Sequence, residues 1–284
     1  MIEEQTMLYP SLFASFEKAR WSLLDSIPWN KIDRSLLDDR DIHAIRMNAI
    51  LEWSAMQTIS VFLRDSVEDT DFCAFGSIWY YEEMKHCLVL MEYLRRIDES
   101  LVPSRETLRQ VNFDTDPASP LETLAMHFCG EIRLNQWYRC AQQRYREPVI
   151  RTIYGLLAAD EARHARAYLQ YMRQALMTKG DEARAAFSKI GVLMCSPRLN
   201  RGMHPTNLHV NKSLFPNDTV NSRLPDPEWL ERWLSDEICF DDEWERRVIK
   251  GILGNYSDLF GVPIGDLAAL RRIRKGLSAA VTLI

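Results

Sequence analysis

The segment LLAADEARHARAY, residues 156–168, carries the pattern from which the fold is predicted. Glu161 and His164 lie three residues apart in it, and Leu157 and Tyr154 lie one and two turns upstream of Glu161. Alanine, leucine and arginine favour the helical state, and the segment contains no glycine or proline that would end a helix. Positions three and four apart share a helix face, so a carboxylate and an imidazole are expected side by side on an apolar stripe.

A second segment of the chain repeats this pattern. Glu83 and His86 form another Glu-x-x-His pair, on a stretch with apolar residues at helical spacing. Two more glutamates stand at matching distances, because Glu52 lies 31 residues before Glu83 and Glu131 lies 30 residues before Glu161. A single Glu-x-x-His pair arises by chance in many helices, whereas the paired spacings together indicate one shared site.

Each lone glutamate comes level with its Glu-x-x-His pair if the two segments fold as an antiparallel hairpin. The midpoint of the first pair falls near position 67, in the polar stretch 64–71. The midpoint of the second falls at position 146, where Pro148 suits the first turn of a new helix. Ferritin-like di-iron and di-manganese bundles take one Glu from each of two helices and Glu-x-x-His from each of the other two. The spacing therefore predicts an all-α, ferritin-like four-helix bundle.

The rest of the chain is predicted to be organised around this bundle. A single domain is expected over residues 1–284, with the metal-binding bundle at about 38–178 and an accessory C-terminal segment at 180–284. Residues 98–119 suit the long crossover connection of such bundles. Residues 195–225, rich in Pro, Asn, Ser and Arg, predict an irregular segment over the bundle. The predicted helices, including accessory ones at both ends, span 8–27, 38–64, 71–97, 120–143, 148–177, 181–192, 227–234, 241–259 and 266–277.

Six residues are the predicted metal ligands and catalytic residues of this arrangement: Glu52, Glu83, His86, Glu131, Glu161 and His164. Four carboxylates and two imidazoles in a bundle core would repel and desolvate one another without a cation. Such ligands suit iron or manganese, and the six cysteines show no zinc-type spacing. Two divalent ions are therefore expected. The alternative interpretation is that all six side chains lie on the surface of long helices.

The residues around these positions resemble a known family. WYYEEMKH at 79–86 resembles the Trp-x-x-Glu-Glu-x-Arg-His segment of the soluble acyl-(acyl carrier protein) desaturases. AADEARH at 158–164, with Ala167 and Tyr168, resembles their second motif, and the resemblance covers about positions 40–175. It implies two iron ions, with manganese as the alternative, an external electron donor such as a ferredoxin, an acyl carrier protein that presents the substrate, and a homodimer.

The ligand histidines need partners of their own. A metal-bound histidine normally donates its other ring N–H to a carboxylate or a carbonyl. The resemblance implies that Asp160 holds His86 from across the bundle, and that Glu82 or a nearby polar group holds His164.

Further side chains are candidates for a role near the centre. Trp79, at the head of the first motif, is expected beside the ligands. Trp21 or Trp29 is a candidate to extend an Asp–His chain towards the surface as an electron route, with core packing as the alternative. His127, one turn before Glu131, is either an extra ligand or hydrogen-bond donor, or a histidine satisfied within the core.

A few positions separate this chain from related enzymes. The N-oxygenases of the superfamily have a histidine where this chain has Leu157, and ribonucleotide reductase small subunits have a radical tyrosine where it has Leu90. The desaturases commonly have a threonine where this chain has Leu134, with Asn135 beside it. Asn135 is able to orient a water molecule but is a poor proton relay. Oxygen chemistry is favoured, with desaturation and hydroxylation both open.

Composition limits the remaining possibilities. An apolar content of 46% indicates a globular protein, and the net charge of −5 argues against broad nucleic-acid binding. No apolar run approaches the length of a membrane span, and the acidic start is unlike a signal peptide. The cysteines suggest a reducing compartment, so we expect a cytoplasmic protein without a membrane anchor.

The predicted function is that of an O2-dependent diiron oxidoreductase acting on an unactivated C–H bond. Loss of two hydrogens would make it a desaturase of a carrier-bound acyl chain, and insertion of oxygen would make it a hydroxylase. One alternative is a ferritin-like iron-binding protein without organic substrate. The other is a protein-interaction module in which the metal has only a structural role. An acidic carrier protein would need a locally basic surface. Two arginine-rich patches are candidates: Arg139, Arg144, Arg146 and Arg151, and Arg271, Arg272, Arg274 and Lys275.

Overall fold

The computed structural model describes residues 7–109, 111, 119–196 and 242–281, and all regular secondary structure within these ranges is helical. Three 3₁₀ turns, Trp29–Lys31, Arg34–Leu36 and Glu99–Leu101, lie in the connections. The α-helices are α1 (Tyr9–Ala19), α2 (Asp39–Glu52), α3 (Ala55–Asp65), α4 (Thr70–Ile97), α5 (Arg105–Arg109), α6 (Pro120–Arg144), α7 (Pro148–Met194), α8 (Asp242–Phe260) and α9 (Leu267–Val281).

Side-chain caps set where the four longest helices of the predicted bundle begin. Asp38 and Asp41 form a capping box at the start of α2, and Asp69 accepts from the N–H of the third residue of α4. Ser119 caps α6 and Glu147 caps α7, each followed by a proline whose fixed φ suits the first helical position. These caps fix where each helix begins along the chain, and the apolar packing then decides which side chains face inward.

The helices form two hairpins. α2 and α3 pack along α4, and α6 packs along the first part of α7, while α4 and α7 bring the two hairpins together. The remaining helices cover this arrangement, with α1 on α4, α8 on α6 and α7, and α9 on α7.

The two Glu-x-x-His pairs lie between two apolar clusters. Phe75, Phe128 and Tyr168 belong to one cluster, and Leu90 and Tyr138 belong to the other. On α4 and α7, the Glu-x-x-His pair stands where the helix passes from one cluster to the other. The site is therefore enclosed by apolar packing on both sides.

The structure corrects three predicted boundaries. The helix predicted over 8–27 ends at Ala19, because Arg20 takes an extended backbone conformation and its guanidinium binds Glu17 and Tyr81. The helix predicted over 38–64 is two helices, since the chain turns at 53–54 directly after Glu52. The helices predicted over 148–177 and 181–192 form one run that kinks at Gly180, where φ is +49°.

The other predicted helices agree with the structure within a few residues at each end. The expected crossover at 98–119 contains a 3₁₀ turn and the short α5 in the part that the structure describes. The predicted helix 227–234, and all of the irregular segment 195–225 beyond residue 196, lie outside the described residues.

Candidate metal centre

The six predicted ligands converge on one place in the core. Their potential ligand atoms form two overlapping groups, and within each group these atoms all lie within 4.8 Å of one another. None of the six residues is more than 5% exposed. Glu83 and Glu161 belong to both groups, so the geometry offers two adjacent cation positions with two shared carboxylates. The groups are Glu52, Glu83, His86 and Glu161, and Glu83, Glu131, Glu161 and His164.

The first position is built around His86, on α4. Its Nδ1 lies 3.5 Å from Glu52 Oε2, 3.4 Å from Glu161 Oε1 and 3.9 Å from Glu83 Oε2. One ring nitrogen therefore faces three carboxylates that come from three different helices.

The second position is built in the same way around His164, on α7. Its Nδ1 lies 2.9 Å from Glu83 Oε1, 3.1 Å from Glu161 Oε2 and 3.9 Å from Glu131 Oε2. Both imidazoles thus point Nδ1 into the carboxylate cluster and leave Nε2 for a partner behind them.

The partners behind the two histidines are exchanged between the hairpins. His86 Nε2 lies 3.1 Å from Asp160 Oδ2 on α7, and His164 Nε2 lies 3.0 Å from Glu82 Oε2 on α4. Each acid directly precedes the motif glutamate of the helix opposite its histidine. This is the pairing that the resemblance implied, and it fixes the orientation of both rings.

Arg163 joins the two supporting acids. Its NH2 group donates to Glu82 Oε1 at 3.2 Å and also binds Asp160 Oδ1. Although burial opposes ionisation, the hydrogen bond with His86 and the charge of Arg163 hold the pKa of Asp160 well below its usual value. Sequence reasoning gave Arg163 no role, although its place three residues after Asp160 puts both on one helix face.

A tryptophan extends the chain from His86. Trp21 Nε1 donates to Asp160 Oδ2 at 2.7 Å, whereas Trp29 Nε1 donates to the backbone carbonyl of Leu23 at 2.9 Å. Of the two predicted candidates, Trp21 is the one in contact with the acid. The Lys85 ammonium lies 4.1 Å from the centre of the Trp21 ring.

The two lone glutamates have different hydrogen-bond donors. Glu131 accepts from Trp79 Nε1 at 2.9 Å, which places Trp79 beside the cluster as expected. Glu52 accepts from Asn48 Nδ2 at 3.3 Å and from the Tyr138 hydroxyl. Sequence reasoning assigned no role to Asn48 or Tyr138, although Asn48 stands one turn before Glu52 and therefore shares its helix face.

The carboxylates of the cluster have shifted pKa values, and several of its buried polar atoms lack hydrogen bonds. Burial and the neighbouring carboxylates raise the pKa of Glu83 to about 7 and raise that of Glu161 well above its ordinary value. Against the effect of burial, the nearby imidazole of His164 lowers the pKa of Glu131 to about 2. Four buried atoms of the set make no hydrogen bond: Glu83 Oε1, His86 Nδ1, Glu131 Oε2 and Glu161 Oε1. Buried charged atoms without partners are costly, and this donor set fits two iron or manganese ions.

Two predicted candidates lie outside the cluster. Asn135 donates to the backbone carbonyl of Ala158 at 2.6 Å and lines a cleft of about 150 Å³ on the α6–α7 surface. His127 packs in an aromatic cluster, with ring centres 5.5 Å from Tyr168 and 5.7 Å from Trp79, and burial lowers its pKa. Asn135 and His127 are therefore not among the converging side chains, and the roles predicted for both stay predictions.

Comparison with models of known protein families and with curated protein sequences finds no match for this chain. Within the described ranges, every helix is either too short or too polar to cross a membrane.

Proposed function

We propose that the chain is a ferritin-like diiron protein and an O2-dependent oxidoreductase that acts on an unactivated C–H bond. One observation carries this proposal: two groups of buried carboxylate and imidazole side chains overlap through Glu83 and Glu161. Two hairpins that each contribute one lone Glu and one Glu-x-x-His pair are what a ferritin-like bundle requires.

The protein's own residues would divide the work at this centre. Glu83 and Glu161 would bridge the ions, while Glu52 with His86 and Glu131 with His164 would each complete one position. When bound, iron in such a site supplies the reduction of dioxygen and the oxidising power for C–H cleavage. Asp160, Glu82 and Arg163 would hold the histidines, and the flanking apolar clusters would keep bulk water from the centre.

The motif resemblance favours a desaturase of a carrier-bound acyl chain. The segments at 79–86 and 158–164 supply that argument, because their flanks match as well as their candidate ligands. Leu134 occupies the position where these desaturases commonly have a threonine, and hydroxylation is for this reason the nearest alternative. The burial of the cluster also suits an iron-binding protein without organic substrate. The experiment described below therefore distinguishes a desaturase, a hydroxylase and an iron-binding protein.

The proposed partners are an acyl carrier protein, a ferredoxin-type electron donor and a second copy of the chain. Arg139, Arg146 and Arg151 are exposed around the turn between α6 and α7, while Arg144 lies 3.7 Å from Asp41. Carrier proteins are acidic, so this end of the hairpin is the proposed docking surface.

A single turnover tests the proposal. The protein is loaded anaerobically with ferrous iron, mixed with a long-chain acyl carrier protein and exposed to O2, and the acyl group is then weighed by mass spectrometry. Loss of two hydrogens is the expected result, and gain of one oxygen would establish the hydroxylase instead. Oxygen consumption with an unchanged acyl group would reject a fatty-acyl substrate and favour the iron-binding alternative.

Matched variants show whether the product depends on the cluster. Glu161→Ala removes a shared carboxylate, whereas Glu182→Ala removes an exposed glutamate from the same helix. We expect no product from Glu161→Ala and unchanged product from Glu182→Ala. Equal product from both variants would show that the chemistry does not take place at this cluster.

A further inference from the structure

Three buried tyrosines form a row that begins at the candidate centre. The Tyr138 hydroxyl donates to Glu52, and the Tyr138 ring centre lies 5.7 Å from that of Tyr154. The Tyr154 ring stacks on Tyr145 with centres 5.5 Å apart and planes inclined by 7°, and the two hydroxyls influence each other's pKa. The row ends at Tyr145, next to the turn between α6 and α7. None of the three is more than 6% exposed.

Apolar packing alone does not account for this row. A buried phenol hydroxyl usually has a hydrogen-bond partner, whereas phenylalanine would fill the same volume without the cost of burying a polar group. Here the partner of the first hydroxyl is a candidate ligand, Glu52. Phenols are among the most readily oxidised side chains, so the row joins oxidisable groups from the centre to the end of the hairpin.

The other aromatic neighbours of the cluster are less suited to this role. Trp21 lies under the Lys85 ammonium, and a cation 4.1 Å from the ring centre disfavours removal of an electron from the indole. Trp79 contacts Glu131 but stacks on Phe62 with ring centres 5.9 Å apart, and a phenylalanine does not pass an oxidation onward.

We propose that Tyr138, Tyr154 and Tyr145 form an electron route that quenches the oxidised centre when no substrate is bound. This inference rests on the proposed function, since the dioxygen-oxidised iron centre is the oxidant. Tyr138 would give one electron to the centre, and its phenol proton would move along the existing hydrogen bond to Glu52.

Tyr154 and then Tyr145 would each pass one electron inward. Tyr138 would regain its proton from Glu52 as it regains its electron, and the Tyr154 proton would move to and from the neighbouring Tyr145 hydroxyl. In sum, a one-electron reductant of the ascorbate class would give one electron at Tyr145 and release its proton to solvent, and the electron would reach the metal. The route would spare the residues beside the centre from oxidation.

Rapid freeze-quench electron paramagnetic resonance tests the route. Protein loaded with ferrous iron is mixed with O2 without substrate, using chains labelled with ring-deuterated tyrosine and unlabelled chains. We expect a radical signal that narrows on deuteration and falls at least about tenfold in Tyr138→Phe. Tyr168→Phe is the matched control, because Tyr168 is equally buried near the carboxylates and its hydroxyl makes no hydrogen bond.

Tyr154→Phe keeps the test decisive if Tyr138→Phe fails to fold or to bind iron. In Tyr154→Phe the radical should form as in the wild type but decay several-fold more slowly with ascorbate. Peptide mass spectrometry after repeated turnover should then find more oxidised residues around the cluster than in Tyr168→Phe.

The outcomes separate this proposal from the proposed function. Wild-type protein that binds two irons and consumes O2 without a tyrosine radical would overturn the route and leave the oxidoreductase standing. A radical signal whose width does not change on tyrosine deuteration would also overturn the route. It would indicate a radical on Trp137, whose ring centre lies 5.3 Å from that of Tyr138. Wild-type protein that binds no iron would overturn both.

Discussion

The two halves of the candidate centre share one ligand pattern and differ in the surroundings of their lone glutamates. Glu52 is the last residue of α2, and it accepts hydrogen bonds from Asn48 and Tyr138. Glu131 lies in the middle of the unbroken helix α6 and accepts from Trp79. Equal spacing along the sequence has therefore produced two unequal candidate positions for a cation, one beside a helix break and one inside continuous helical packing.

The support of the histidines is the symmetric part of the comparison. Each ring is held by the acid before the opposite motif glutamate, and Arg163 joins the two acids. Differences in metal binding between the halves should then come from the lone glutamates and their neighbours, and changes at the supports should affect both halves alike.

The largest expected effect is that of a shared carboxylate. Glu83→Ala should lose both ions, because Glu83 belongs to both ligand groups. Metal analysis after iron loading and desalting should fall from two ions per chain to near zero. Glu92→Ala is the control, since Glu92 pairs with Arg95 and Arg96 on the same helix. Normal iron binding by Glu83→Ala would refute the ligand assignment.

The next effect separates the halves. Glu52→Ala and Glu131→Ala should each lose one ion and keep the other, because each glutamate belongs to one group only. Iron content should fall from two to about one ion per chain in both variants. Optical or Mössbauer spectra of the remaining ions should differ, since the two positions have different hydrogen-bond donors. Identical spectra from the two variants would contradict the proposed difference between the Glu52 and Glu131 positions.

A smaller effect is expected from the histidine supports. Asp160→Asn and Glu82→Gln keep the side-chain size but remove the carboxylate behind His86 and His164, respectively. Each should weaken metal affinity by about 10–100-fold, as is typical when such partners are changed. Competition with a chelator of known affinity measures the change. An effect confined to one of the two variants would show that the support is not symmetric.

The smallest effect is expected at Trp79. Trp79→Phe removes one hydrogen bond to Glu131 while keeping an aromatic ring in the packing. A net loss of about 1 kcal/mol, or several-fold in affinity, should appear at the Glu131 position alone. Chelator titration that resolves the two ions checks this. An equal loss at the Glu52 position would mean that the variant acts through general packing.

The sequence anticipated the parts of the structure that depend on spacing along a helix. The helical period of 3.6 residues predicts that the Glu and His of each Glu-x-x-His pair share one helix face. The length of each hairpin predicts that Glu52 and Glu131 lie opposite these pairs. The arrangement of Asp160 behind His86 came from the resemblance and not from the period.

Contacts between helices were harder to anticipate. Nothing in Trp53 or Ser54 marks the turn that separates α2 from α3, because neither residue is a strong helix breaker. The pairing of Tyr138 with Glu52, and of Arg163 with Glu82, depends on how α6 and α7 are rotated against the other hairpin. Burial and packing set that rotation, and a single sequence carries little trace of it.

The exchange of partners between the hairpins has a kinetic consequence. Neither hairpin alone contains both a ligand histidine and the acid that orients it, so an ion cannot be held firmly until α4 and α7 have docked. Metal capture should therefore come late in folding, after the hairpins assemble. Release of an ion would in turn require the hairpins to separate or the contacts of Arg163 with Glu82 and Asp160 to break. Metal exchange should therefore be slow compared with local fluctuations of the chain.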